Sequence, residues 1–275
     1  DHDLVVRYDG QTVMAESSFD AHYVTAIDVT ATVTGTGRDQ RVDWRPSFRI
    51  HDSAQVTPDP ETLAEVQRLQ GALSRELDVP VGVTRALLDS RIAAVRVREA
   101  SFGSLVADAL RASTGAQVAI TNGGGIRGNR FYPAGATLTR RDILTELPFG
   151  NTTALVAMTG AGLRAALEHG LADYGRPSGR MAQVSGLVVT LDPTAPVGRR
   201  IVSLSAAGSI VDPDATYTVA SNNFLYDGGN GYGDLARGRT LIGRTDGQLV
   251  ANAVMAYIRA NAPLPAPVEG RILVR

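Results

Sequence analysis

A buried strand that runs directly into three consecutive glycines is the feature that most constrains how this chain can fold. The apolar run Val118–Ile120 is followed by Thr121 and then by Asn-Gly-Gly-Gly-Ile-Arg over residues 122–127. Glycines lack a Cβ, so the main-chain N–H groups of residues 123–125 can point at an anion. Arg127 adds a planar cationic fork that suits phosphate or carboxylate. The segment predicts an anion site, although a plain tight turn explains the glycines equally well.

The composition is that of a globular chain whose ligands are small. Its 275 residues are 44% hydrophobic, which is enough for one or two domains with their own cores. A net charge of -1 and a pI near 6.5 argue against binding to a nucleic acid polymer or an anionic membrane, because both need a basic face. Cysteine is absent, which excludes disulfides and thiolate metal sites, and no apolar run predicts a membrane segment.

The first part of the chain predicts short strands followed by one helix. Apolar and β-branched clusters between residues 4 and 50 are typical of strands, and Asp9-Gly10 indicates a hairpin turn. Residues 57–61, Thr-Pro-Asp-Pro-Glu, are typical of a helix start, and apolar residues then recur every three or four positions. This predicts a connecting helix near 60–77. Gly71 within it costs about 1 kcal/mol relative to alanine, so it marks either close packing or a point of bending.

From Val95 onward the sequence alternates between helix and strand patterns. Helical patterns lie near 102–113, after Thr139, near 162–169 and near 247–260. Strand patterns lie near 117–121, 155–158, 186–191, 201–205 and 216–221. Because hairpin-forming strands stand among the helices, we predict an α+β fold with a mixed sheet rather than a regular doubly wound one.

Two arginines stand close to this change of pattern. Arg96 and Arg98 alternate in Val95-Arg96-Val97-Arg98-Glu99, which places both on the same face of an extended segment. This face could present them to an anion. A solvated edge in which they pair with Glu99 is an equally good interpretation.

Two phenylalanines occupy segments that are unusual for core residues. Phe149 lies between Pro148 and Gly150, and Phe224 precedes the polar, glycine-rich run at 226–232. Presented aromatic rings could sandwich a nucleobase, and each stack contributes roughly 1–3 kcal/mol. Nearby Asn151 and Asn230 could hydrogen-bond a ribose hydroxyl.

Together these segments resemble the C-terminal domain of the 5'-nucleotidase family, over roughly residues 90–273. The resemblance rests on four ordered motifs: Asn122–Arg127, Leu147–Asn151, Gln183–Gly186, and Asn223-Phe224 running into Gly228–Tyr232. It implies the substrate-recognition domain of a hydrolase that acts on small nucleotide or nucleoside phosphate esters. It also implies nine site residues, for phosphate, base and ribose in turn: Arg96, Asn122, Gly124, Gly125 and Arg127; Phe149 and Phe224; Asn151 and Asn230.

The N-terminal residues fit the same family. Asp1-His2-Asp3 resembles the tail of the Gly-His-x-His motif that ends the metal-ligand set of the family's metallophosphoesterase domain. We therefore expect Asp1 to be a cut end and residues 1–56 to be the remnant of that domain. Residues 57–78 would then be the connector helix and 79–275 the substrate-binding domain.

The resemblance also bears on cofactors and location. It implies two divalent metal ions in the missing N-terminal domain and no cofactor in this chain, where His22, His51 and His169 lack ligand spacing. The chain alone is thus predicted to be inactive. A periplasmic or secreted location is suggested by the family resemblance only.

Two other functions remain open. The chain could be a non-catalytic nucleotide-binding or interaction module that keeps the fold. It could also belong to a relative that acts on a non-nucleotide ester, although a small inorganic group would leave Phe149 and Phe224 without a base to stack.

Overall fold

The structure, a computed structural model, describes residues 3–267 and 269–275. The described chain divides into two compact units, the first ending at Gly71 and the second beginning at Ala72. This division falls within a helix, and the three-part organisation expected from the sequence stays a prediction.

The first unit contains two antiparallel strand pairs, as the apolar clusters predict. Its strands are β1 (Leu4–Tyr8), β2 (Val13–Ser17), β3 (Tyr23–Thr34) and β4 (Arg41–Asp52). The predicted turn at Asp9 is confirmed, because its carboxylate accepts the main-chain N–H groups of Gln11 at 2.9 Å and Thr12 at 2.7 Å. Strands β3 and β4 are longer than predicted and pair over their full length, from Tyr23 with Asp52 to Thr34 with Arg41.

The predicted helix is confirmed as α1 (Pro60–Leu77). The carboxylate of Asp59 accepts the N–H of Thr62 at 2.8 Å, which satisfies one of the free donors in the first turn. A Cβ built on Gly71 would meet no atom of the described residues within 4 Å. Close packing within those residues therefore does not require a glycine at position 71.

The second unit has thirteen strands and seven helices among its described residues. The strands are β5 (Pro80–Val83), β6 (Leu88–Asp89), β7 (Val118–Asn122), β8 (Phe131–Tyr132), β9 (Thr137–Thr139), β10 (Thr153–Thr159), β11 (Ala182–Ser185), β12 (Leu187–Leu191), β13 (Ile201–Ala206), β14 (Ser209–Ile210), β15 (Thr216–Asn222), β16 (Arg239–Ile242) and β17 (Ile272–Val274). The helices are α2 (Ile92–Val95), α3 (Ser101–Thr114), α4 (Arg140–Glu146), α5 (Gly160–Gly170), α6 (Asn223–Tyr226), α7 (Gly233–Ala236) and α8 (Val250–Ala260).

The predicted elements of this unit are present with small differences at their ends, whereas the shortest strands and helices were missed. The helix predicted after Thr139 is present as α4, and Thr139 caps it: its hydroxyl oxygen accepts the N–H of Asp142, and the Asp142 carboxylate accepts the N–H of Thr139. Such two- to four-residue elements as β14 and α7 have no periodicity to detect, because one turn or less carries too few positions.

A mixed five-stranded sheet forms the centre of the second unit. Its order is β11-β7-β15-β10-β16, in which β7 and β15 run parallel and the other pairs run antiparallel. A second sheet of four strands has the order β14-β13-β12-β17. The α+β fold with mixed sheets is thus confirmed.

Both faces of the central sheet are buried, which explains the continuous apolar run in β7. Ala119 packs with Phe102 of α3 and Val254 of α8 on one face. Val118 and Ile120 pack with α5 on the other face. Because successive side chains point to opposite faces, a strand covered on both sides needs apolar residues throughout.

The predicted extended segment around Arg96 is wrong. Residues 92–95 form helix α2, Arg96 follows as its C-cap, and the N–H groups of Arg96 and Arg98 donate to Ile92 O at 3.2 Å and Ala94 O at 3.0 Å. These local hydrogen bonds close turns, so alternation does not apply. The alternative pairing with Glu99 is also wrong, since that carboxylate accepts the N–H groups of residues 270–272 instead.

Candidate functional site

The glycine-rich loop leaves the end of the buried strand as predicted, but two of its N–H groups are already used. Gly123–Gly125 form a 3₁₀ turn directly after β7. The N–H of Gly123 donates to Met181 O at 2.8 Å, and that of Gly124 donates to Gly179 O at 2.9 Å. The prediction that these groups point at an anion is therefore wrong for residues 123 and 124, because both N–H groups donate to main-chain carbonyls just before β11.

Close backbone packing explains why this loop needs glycine. A Cβ on Gly123 would lie 1.9 Å from Val95 O, and one on Gly124 would lie 2.6 Å from Gly179 O. Neither position can hold a side chain without moving backbone. The glycines thus bring the end of α2, and with it Arg96, against the end of β7.

All nine residues singled out from the sequence line one cleft of ≈ 330 Å³, and Gly179 completes the lining. The list comprises Arg96, Asn122, Gly124, Gly125, Arg127, Phe149, Asn151, Phe224 and Asn230. They come from four separate stretches of the second unit, at residues 96, 122–127, 149–151 and 224–230, so only the tertiary fold brings them together.

One wall of the cleft carries two neighbouring guanidinium groups. Burial lowers the pKa of Arg96, and the positive charge of Arg127 lowers it further. The main-chain N–H of Arg127 donates to Glu146 O at 2.9 Å, and the carbonyl of Arg96 accepts the N–H of Ser178 at 2.9 Å. Two cations held close together at a cleft wall favour an anionic ligand, which relieves their mutual repulsion.

Two exposed aromatic rings line the same cleft. The side chain of Phe149 is 57% exposed and that of Phe224 is 41% exposed, unlike the core phenylalanine Phe102 at 0%. Phe224 lies on the short helix α6, where Asn222 caps the first turn by accepting the N–H of Leu225 at 2.9 Å. A Cβ on Gly229 would lie 2.6 Å from the Phe224 ring, so glycine allows the chain to pass behind that ring.

Asparagine amides form the polar part of the lining. The Nδ2 of Asn122 donates to Gly179 O at 3.1 Å and to Asn230 Oδ1 at 2.8 Å. Asn230 has a φ of 53°, in the left-handed region that asparagine tolerates better than most residues. Its carbonyl oxygen lies 2.7 Å from His169 Nε2, which must be protonated to donate this hydrogen bond.

Sequence reasoning missed three residues that support the cleft: Glu146, His169 and Gly179. The sequence pattern indicated only that His169 lacks metal-ligand spacing, whereas in the structure its ring also packs edge-on against Tyr232. No local signal identifies these residues, because each acts on a loop far away in the sequence.

A second cavity adjoins the cleft and shares Gly125, Phe149 and Asn151 with it. This cavity of ≈ 250 Å³ is lined mainly by apolar side chains from the loop after α4 and the start of α8, together with Thr121 and Asn222. Phe149 therefore separates a charged, amide-lined space from an apolar one.

The described residues contain no group of three or more His, Asp or Glu side chains that could hold a metal ion. Within residues 3–267 and 269–275, therefore, His22, His51 and His169 belong to no such group. His2, on which the resemblance to a metal-ligand motif rests, lies outside the described residues. Within the described part of the chain, no helix combines the length and hydrophobicity needed to cross a bilayer.

The chain is similar in sequence to proteins of the 5'-nucleotidase family. The profile of the family "5'-nucleotidase, C-terminal domain" matches residues 80–237. The chain is 28% identical over 237 residues to the trifunctional nucleotide phosphoesterase protein YfkN of Bacillus subtilis, covering 83% of this chain and 16% of that protein. It is 29% identical over 238 residues to the 5'-nucleotidase of Homo sapiens, covering 80% of this chain and 41% of that enzyme.

A solved structure supports the same assignment. The 5'-nucleotidase precursor from Thermus thermophilus superposes with a TM-score of 0.70 at 28% identity, covering 92% of this chain and 50% of that one. The chain thus spans no more than about half the length of these relatives. Since the family profile covers more than half of its residues, this chain belongs to the 5'-nucleotidase C-terminal domain family.

Proposed function

We propose that this chain is the nucleotide-recognition part of a 5'-nucleotidase-type phosphoric ester hydrolase. One observation carries the proposal: the two arginines, two exposed phenylalanines and amide side chains chosen from the sequence line the same cleft. Phosphate, base and sugar are the three parts of a nucleotide, and the cleft offers a matching chemical group for each.

The phosphate would bind at Arg96 and Arg127. A hydrogen bond between a charged donor and phosphate contributes about 1.5–3 kcal/mol, and the adjacent guanidinium groups match the two negative charges of a phosphate monoester. Gly125 contributes a main-chain N–H beside them, since those of Gly123 and Gly124 are used elsewhere.

The base would stack between Phe149 and Phe224, and the sugar would lie near Asn151 and Asn230. Every nucleobase has a π face, so this clamp fixes the position of the base without choosing among bases. Holding both ends of the nucleotide orients its phosphate ester for attack, which is the contribution of a binding domain to catalysis.

Hydrolysis itself would depend on residues outside this chain. The described residues lack a ligand set for the two divalent ions that the family resemblance implies, so we place those ions in another domain of the whole protein. No catalytic step is therefore assigned to this chain, whose residues bind and orient the ester.

Calorimetric titration with AMP and with adenosine tests the proposal. Arg127→Ala should weaken AMP binding roughly ten- to a hundredfold while adenosine binding stays nearly unchanged, because only AMP carries the phosphate. Arg199→Ala, at an exposed arginine that does not line the cleft, is the matched control. Equal losses for AMP and adenosine would show that Arg127 is structural and would overturn the phosphate site.

The two other functions predict different results. A non-catalytic binding module shares the cleft, so only the activity of the full-length protein separates it from a hydrolase. A relative that acts on a non-nucleotide ester would bind inorganic or small esters as well as AMP and would not respond to removal of Phe149 or Phe224.

A further inference from the structure

Tyr232 is a fully buried residue that follows the 3₁₀ turn Gly229–Gly231 and does not itself line the cleft. Its hydroxyl donates to Arg180 O at 2.7 Å. Burial raises the pKa of this hydroxyl, so it keeps the one proton that it can donate. The fold leaves space for the hydroxyl, because a Cβ on Gly170 would lie 2.1 Å from Tyr232 Oη.

The carbonyl that accepts this hydrogen bond lies in the middle of a short segment, Gly179–Met181, which holds the glycine-rich loop. The first carbonyl of the segment accepts the N–H of Gly124 at 2.9 Å and the Nδ2 of Asn122 at 3.1 Å. Its last carbonyl accepts the N–H of Gly123 at 2.8 Å. The Tyr232 hydroxyl therefore fixes the central peptide of the segment whose outer carbonyls position the phosphate side of the cleft.

The main chain of Tyr232 belongs to the other side of the cleft, where the base would stack. Its N–H donates to Gly229 O at 3.3 Å, and Gly229 packs so closely behind the Phe224 ring that a Cβ would lie 2.6 Å from that ring. The ring of His169 packs edge-on against Tyr232, with the ring centroids 5.3 Å apart. Tyr232 thus joins the turn behind Phe224 to the segment that holds the glycine-rich loop.

A second hydrogen bond joins the same two sides, from Asn122 Nδ2 to Asn230 Oδ1 at 2.8 Å. Both asparagines line the cleft, so a ligand can contact them directly. Tyr232 differs because its hydroxyl is buried behind the lining, out of reach of a ligand. Its hydrogen bond can affect binding only through the position of the two sides.

We propose that Tyr232 is a positioning residue whose hydroxyl sets the distance between the phosphate side and the base side of the cleft. The inference rests on the proposed function and names a residue through which that cleft is held in shape. A nucleotide contacts both sides at once, so its affinity depends on their separation. A ligand that contacts one side alone does not depend on that separation.

Tyr232→Phe removes the hydroxyl and keeps the ring, and calorimetric titration with AMP, adenosine and inorganic phosphate tests the inference. AMP binding should weaken roughly three- to tenfold, whereas adenosine and phosphate binding should each change by less than about twofold. Arg127→Ala gives a different pattern, since it should weaken the binding of phosphate together with that of AMP.

Tyr217→Phe is the matched control. It removes a hydroxyl that also has a main-chain partner, because Tyr217 Oη accepts the N–H of Asp212 at 3.0 Å, and Tyr217 does not line the cleft. All three affinities should stay unchanged in this variant. Urea unfolding of both variants shows that folded protein is being titrated.

The pattern across the three ligands separates positioning from a general structural role. AMP affinity that does not fall in Tyr232→Phe would overturn the inference, and so would a loss that adenosine or phosphate shares with AMP. If AMP binding responds to Arg127→Ala but not to Tyr232→Phe, this inference alone fails. If AMP does not bind to the wild type, the proposed function fails.

Discussion

Glu146 holds the main chain at Arg127 through its own carbonyl oxygen, which accepts the Arg127 N–H at 2.9 Å. Its carboxylate continues the contact by accepting the N–H of Gly128 at 2.9 Å. The same carboxylate is fully buried and accepts the hydroxyls of Ser90 at 2.7 Å and Tyr132 at 2.9 Å. One buried side chain therefore anchors the outgoing end of the glycine-rich loop.

We expect Glu146→Gln to destabilise the protein by about 1–3 kcal/mol, because the new amide nitrogen cannot accept from every donor that the carboxylate serves. The three donors to this carboxylate are the hydroxyls of Ser90 and Tyr132 and the N–H of Gly128. Gly128, next to Arg127, is the most exposed of these three residues. Urea unfolding of both proteins gives the difference in free energy. A change below about 0.5 kcal/mol would contradict the anchoring role.

The pH dependence of this difference has a defined sign. Burial raises the pKa of the Glu146 carboxyl above its usual value of 4.5, against the lowering effects of Ser90, Tyr132, Gly128 and Arg130. The folded state then binds a proton that the unfolded state has lost, so the contribution of Glu146 to stability falls as pH rises above 4.5. Urea unfolding at several pH values should show the free energy of unfolding of the wild type falling relative to that of Glu146→Gln as the pH rises from 4.5 through the raised pKa of the folded state.

Replacement of either clamp residue by alanine should affect binding more than folding. Phe149→Ala and Phe224→Ala should each cost roughly 1–3 kcal/mol of AMP binding, because one stacking face is lost. Their stability should change far less than the 3–5 kcal/mol typical of a core Phe→Ala, for which Phe102→Ala is the matched control. Unchanged affinity together with a large drop in the urea midpoint would identify both as ordinary packing residues.

Alanine at two glycines should have opposite effects on stability. Gly123→Ala should destabilise by about 1–3 kcal/mol or more, since its Cβ would lie 1.9 Å from Val95 O. Gly71→Ala meets no described atom within 4 Å and removes a poor helix former, so it should stabilise α1 by up to about 1 kcal/mol. Thermal melts of both variants measure the two shifts, and a neutral Gly123→Ala would show that the contact can relax cheaply.

The chain alone should release no phosphate from AMP, UDP-glucose or bis-p-nitrophenyl phosphate in the presence of Mn²⁺ or Zn²⁺. The reason is that its described residues lack a ligand set for the metal ions that the family resemblance implies. Phosphate release is compared with a blank that contains metal and no protein. Release well above the blank that survives repurification would place a catalytic centre in this chain.

Local sequence patterns determined most of the longer elements of this protein. Helix α1 and strand β7 follow from periodicity and from the residues at their ends, because helix caps, apolar stripes and buried runs act over a few positions. Because such patterns are local, they also misassigned the segment at Arg96. Alternation over a few residues is compatible with a tight turn as well as with an extended segment. The nature of the site groups was readable too, since guanidinium, phenyl and amide side chains keep their chemistry in any fold.

Only the tertiary structure decided how those groups are used. The N–H groups of Gly123 and Gly124 are taken by Met181 and Gly179, which lie nearly sixty residues further along the chain. The side-chain oxygen of Asn230 accepts a hydrogen bond from Asn122, which lies 108 residues earlier in the chain. An N–H group that already donates a hydrogen bond within the fold is not available to a ligand. Whether it is used in this way depends on a residue far away in the sequence, which local sequence patterns do not identify.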